Sequence, residues 1–132
     1  MLAFPGLAQE CKPTLVHMLM FNRGSAETTA EHIAAFAAWI DNANKSYPSY
    51  SLVIVEGAAL KTDPRAQVLA EERAKKGAEM TRSFLRGEAP IEVSSHVFHV
   101  GEISNQGDYA AIQLVPKDVG ITKCLTMLVA GR

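Results

Sequence analysis

Residues Leu52 to Val55 form an unbroken apolar run that stops at Glu56-Gly57, and a helix signal at Asp63-Pro64 follows after one short loop. A strand with no polar alternation is one covered on both faces, as parallel strands are, and parallel strands need a crossover helix between them. Asp63 as N-cap and Pro64 at the first helical position, where a missing N–H removes no bond, predict that the crossover helix starts here. It runs to about Leu85, with Gly87 as its stop. Ala66, Ala70, Ala74 and Ala78 recur every fourth residue, a stripe small enough to lie close against a sheet. Gly77 inside this helix is locally unfavourable by about 1 kcal/mol relative to alanine.

The remaining elements fall around that unit. Thr14 to Phe21 is a dense apolar run of strand length, stopped by Asn22-Arg23-Gly24. Thr28 to Glu31 reads as a capping box, with Thr28 as the cap. Behind it Ile33, Phe36, Ala37 and Ile40 make one apolar stripe of a helix that ends near Lys45, before Tyr47-Pro48-Ser49. Ile91 to Val100 and Tyr109 to Val115 are the third and fourth strands, with Asn105 to Asp108 as the turn between them. The order β-α-β-α-β-β predicts an α+β fold, a mixed four-stranded sheet with both helices on one face. Leu125 to Ala130 is a further apolar patch, either an added edge strand or a segment packed back on the body.

The 132 residues suffice for one domain. We divide them into an N-terminal piece 1–10 (a signal remnant or a disordered end), a domain over 11–118 and a C-terminal extension over 119–132. Lys and Arg number 13 against 14 Asp and Glu, a net charge of −1, so no basic surplus exists to neutralise nucleic-acid phosphates. No apolar run reaches the roughly 18 residues of a membrane-spanning helix. Gly6-Leu7-Ala8 resembles a signal-peptidase site without the basic region that precedes one.

Catalytic signatures do not emerge. His96 and His99 sit three apart on a strand and so on opposite faces, which does not suit a metal. No Gly-x-Ser-x-Gly elbow, phosphate-binding loop or paired acid–base set is present, and no Cys/His spacing fits zinc. The expectation is therefore a non-enzyme without metal or cofactor. Cys11 and Cys124 lie near opposite ends of the chain. In an oxidising compartment a bond between them would close a loop of about a hundred residues, contributing on the order of 4–5 kcal/mol in the chain-entropy model. Two unrelated thiols are the alternative.

Several pieces in order resemble the OmpA-like domain family, which includes Pal and MotB. They are Phe21-Asn22 before a threonine-capped helix, Tyr47-Pro48 before the second strand, Val55-Glu56-Gly57 at its end, and Leu69-Ala70-Glu71-Glu72-Arg73-Ala74 in the second helix. The resemblance covers about Thr14 to Pro116. It implies a periplasmic module that holds the diaminopimelate of a peptidoglycan stem peptide, with Arg73 as the main contact and Leu69 beside it. In the family, Glu-Gly is followed by His-Thr-Asp, whose aspartate pairs with the ligand ammonium while the arginine fork takes its carboxylate. Here Ala58-Ala59-Leu60 stands in those positions, and Asp63 is the nearby acid that remains. Gly107-Asp108-Tyr109-Ala110 likewise replaces the family's Asn-Arg-Arg at the last strand. Two functions follow from the resemblance: peptidoglycan association, weakened by the missing aspartate, or the same fold used as an accessory, immunity or inhibitor protein toward another envelope protein. Arg73 has a plainer reading as well, an exposed helical arginine paired with Glu72 or Glu79.

Overall fold

A computed structural model describes residues 14–103 and 107–117. The elements are β1 (Leu15–Met20), α1 (Ala30–Ser46), β2 (Tyr50–Leu60), α2 (Ala66–Phe84), β3 (Ile91–Phe98) and β4 (Tyr109–Pro116). The strands form one mixed sheet in the order β1-β4-β2-β3. β2 and β3 are parallel, while β4 runs antiparallel to both β1 and β2. The third and fourth strands are thus sequence neighbours without being sheet neighbours. β4 crosses over β2 to take the central place beside β1. The α+β architecture and element order expected from the sequence are both present.

The pleat sorts side chains between two faces. Leu19, Val53, Val55, Ala110, Ile112 and Leu114 point to one face and join Phe36, Ile40 and Ala78 of the two helices in a single core. Their sheet neighbours Val16, Met18, Leu52, Ile54, Ala111 and Val115 point to the other face. Of these Val16 is 51% exposed and the rest are half-buried. The continuous apolar run of β2 is therefore buried by helices on one side only among the described residues, which corrects the expectation of a strand covered twice.

Both helix starts differ in detail from the sequence reading. Thr29, not Thr28, caps α1, accepting from the His32 N–H at 3.2 Å. Thr28 instead donates its hydroxyl to the Met20 carbonyl at 2.6 Å, tying the helix entry to the end of β1. Asp63 does not cap α2. Its carboxylate accepts from the Leu60 N–H at 2.9 Å and closes the turn that leaves β2, and the helix begins after Arg65, which adopts a left-handed conformation. A Pro64 two residues ahead of the first helical residue belongs to that turn.

The alanine stripe does what its spacing implies. Ala70, Ala74 and Ala78 are buried, and α2 approaches β2 at Gly57 so closely that a Cβ there would lie 2.0 Å from the Ala70 carbonyl oxygen. Gly77, unfavourable for the isolated helix, faces Val55 and Ala110, where tertiary packing outweighs propensity.

His17 lies on the helix face of β1, stacked on Trp39 with ring centroids 5.0 Å apart and edge-on to Phe36. Burial pushes its pKa below the usual 6.5. The folded chain then holds fewer protons at this site than the unfolded chain, so stability is complete above pH 6.5 and falls as pH drops through the window beneath it. Urea midpoints measured from pH 7.5 to 5 should decline less for His17→Phe than for the wild-type chain.

Candidate functional site

The helix N-termini, the end of β2 and the start of β4 meet at one end of the sheet, and Arg73 sits at their centre. α2 directs it inward, because Gly57 lets that helix settle onto the strand. Its residue exposure is 0%, which contradicts the reading of an exposed arginine paired with Glu72 or Glu79.

A guanidinium carries five N–H donors and no acceptor. In Arg73 every one of them is used within the chain. Nε donates to Ser25 O at 2.9 Å. One terminal nitrogen donates to Ala58 O at 2.9 Å and Gly107 O at 3.0 Å. The other donates to Asn22 O at 3.3 Å and to a carboxylate oxygen of Asp108 at 3.1 Å. The Phe21 ring stands 5.7 Å from the guanidinium carbon. One side chain thus joins the β1–α1 loop, the end of β2 and the entry to β4.

Asp108 is the charge partner, itself only 7% exposed. Its second oxygen lies 3.7 Å from Arg23, an exposed side chain of the β1–α1 loop. A buried guanidinium without a counter-ion would carry a large desolvation penalty, and Asp108 offsets it in a geometry that also satisfies the fork. No buried side-chain nitrogen or oxygen among the described residues is left without a partner.

The other residues expected at a ligand site are placed as follows. Leu69 is buried against Ala59 and Ala70, and it lines the floor of an open groove of about 570 Å³. That groove runs between Gly24–Glu27 and the outer face of α2, with Glu72, Lys75, Lys76 and Glu79 along it. Asp63 is engaged in its turn and has no contact with Arg73 among the bonds described above. Ala58, Ala59 and Leu60, in place of a polar ligand loop, are the buried last residues of β2. Arg73 and Leu69 lie one turn apart on α2, Leu69 against the groove and Arg73 enclosed at the head of the sheet, and Asp63 is engaged elsewhere. Cys11 and Cys124 lie outside the described residues. Among the described residues no three His, Cys, Asp or Glu side chains are grouped to hold a metal.

Asp108 is the residue that sequence reasoning missed. The signal was present as two departures from one pattern: an acid lost after Glu56-Gly57, and an acid gained where basic residues open the last strand.

No family model and no curated protein sequence matches the chain. Solved structures do. The periplasmic domain of Helicobacter pylori MotB superposes with a TM-score of 0.56 at 14% identity, covering 89% of this chain and 82% of that one. A shorter form of that domain gives the same score and identity over 92% of its length. The OmpA-like domain of FopA1 from Francisella tularensis aligns over 80% of this chain at 22% identity and a TM-score of 0.49. Element order, the mixed sheet with two helices on one face and the likeness to the MotB domain agree, and this chain has the OmpA-like fold.

Proposed function

We propose that this chain is a non-catalytic binding module of the bacterial envelope, acting in the periplasm. Its arginine fork is filled by the chain's own Asp108, and its partner is another envelope protein. The single observation that carries this reading is the complete use of all five Arg73 donors inside the fold. A ligand carboxylate arriving at Arg73 would have to displace Asp108 and leave that acid, at 7% exposure, with only the exposed Arg23 at 3.7 Å as a counter-charge. Losing one member of a buried charge pair costs about 2–5 kcal/mol, which would move a micromolar ligand to the millimolar range. The apolar Ala58-Ala59-Leu60 segment supplies no replacement for the ammonium contact.

Peptidoglycan association is the second reading. It is favoured by the groove beside Leu69, where Lys75 and Lys76 offer donors to carboxylates and Glu72 and Glu79 offer acceptors to an ammonium. Co-sedimentation with diaminopimelate-type sacculi, repeated in the presence of excess free meso-diaminopimelate, separates the two. The expected pellet fraction is the same with and without the competitor. Sedimentation that the free amino acid abolishes would restore a working diaminopimelate site.

A further inference from the structure

β1 and β3 are the two edges of the sheet, and they differ. β1 is six residues long, and its Met20 carbonyl is taken by the Thr28 hydroxyl. β3 runs for eight residues in unbroken register with β2, without the bulge, proline, lysine or arginine that usually blunts an edge. Pro90 O and Phe98 O accept from the Val53 and Lys61 N–H groups of the neighbouring chain segment at 2.9 and 2.8 Å. Alternate residues of a strand turn both backbone groups to the same side. Glu92, Ser94 and His96 therefore face β2, while Ile91, Val93, Ser95 and Val97 present their N–H and C=O to the free edge. His99, next in that outward set, is closed off: its N–H donates to the Glu102 carboxylate, and its carbonyl accepts from the Glu102 N–H at 3.1 Å. Among the described residues no strand lies against the four open positions.

We propose that β3 pairs antiparallel with β3 of a second copy of this chain, about a two-fold axis at Ser94, and joins two sheets into one. Ile91 then lies opposite Val97 of the second copy, and Val93 opposite Ser95. Each such pair exchanges two hydrogen bonds, so every open N–H and C=O finds a partner. The register follows from the closed positions. Moving the axis one residue onward sets Ile91 against the already bonded His99, and moving it one residue back sets Val97 against Ala89, ahead of the strand. The side chains agree with the same axis. Glu92 and His96, the ionisable residues of the strand, fall opposite one another, and symmetry makes this contact twice. They share the face on which the His96 and Phe98 rings meet at 4.3 Å. The other face is the helix face, where Ser95 accepts from Gln67 of α2 at 3.0 Å. There Val93, 48% exposed in the single chain, meets its own copy diagonally across the axis. The pairing is independent of what the module binds.

Sedimentation velocity of the full chain, held reduced so that its cysteines cannot link copies, reads the association directly. One strand pair is a small interface, so half of the chain should be dimeric at about 10–100 μM. Val93→Lys sets two ammonium groups diagonally across the axis and should raise the dissociation constant about tenfold or more. Because Val93 is half-exposed, the urea midpoint of the monomer should hold, which separates lost pairing from lost folding. His96→Glu opposes two pairs of carboxylates and should weaken the dimer by about fivefold to tenfold. Adding Glu92→Lys to that variant should recover the wild-type constant. A chain that stays monomeric to about 1 mM overturns the proposal, as an edge reserved for an extended segment of another protein would leave it. So does a dimer that Val93→Lys leaves intact, or one that the charge exchange fails to recover.

Discussion

Asp108→Ala is expected to destabilise the chain by about 3–5 kcal/mol, because it leaves the Arg73 guanidinium buried at 0% exposure with four carbonyls and no counter-ion. Urea denaturation of the two proteins at neutral pH measures it. Asp108→Asn keeps an acceptor but removes the charge and should fall between them. Were Arg73 a solvated ligand contact, removing Asp108 would change stability by less than about 1 kcal/mol, as for an exposed pair. The site's composition makes Arg73→Lys a severe change too. An ammonium has three donors on a point charge and cannot reach five acceptors arranged around a planar fork.

Gly57→Ala should be at least as damaging, by about 3 kcal/mol or more, through sterics alone. The new Cβ would lie 2.0 Å from Ala70 O, 2.5 Å from Ala74 N and 2.9 Å from Ala74 Cα. All three are backbone atoms, so no rotamer change relieves the clash and α2 must move off β2 as a body. That movement would also withdraw Arg73 from its acceptors. The expected result is a large drop in the urea midpoint. Gly24→Ala is the matched control: its Cβ would meet nothing within 4 Å, and only its positive φ of 73° opposes the change.

These two positions show what was legible in the sequence. The strand, the Glu56-Gly57 stop and the four-residue alanine spacing announce a helix lying tightly on a strand, because local periodicity encodes which face is buried. Helix starts were less legible. Asp63-Pro64 looks like a cap and serves a turn, and the difference lies in a left-handed Arg65 that no pattern announces. Least legible was the burial of Arg73. Its acceptors come from Ala58, Gly107, Asp108, Ser25 and Asn22, between 15 and 51 residues away in the chain, and four of its five bonds go to backbone carbonyls. A backbone acceptor carries no residue-type signature, so a helical arginine beside Glu72 looks the same whether it is solvated or enclosed. Only Asp108 left a trace, as an acid where the resembling family places basic residues.

The fold thus keeps an arginine in the place where a ligand contact is expected and turns it inward. Its role in the structure is to join the β1–α1 loop, the end of β2 and the entry to β4 at the head of the sheet. The most direct measurement of that claim is the Nε–Hε resonance of Arg73 by nitrogen–proton NMR, followed while a diaminopimelate-containing stem peptide is added. A buried, bonded guanidinium should give a resolved cross-peak at neutral pH that exchanges slowly with solvent and does not move during the titration. A cross-peak that is lost to fast exchange in the free protein, or that shifts saturably with the peptide, would contradict it.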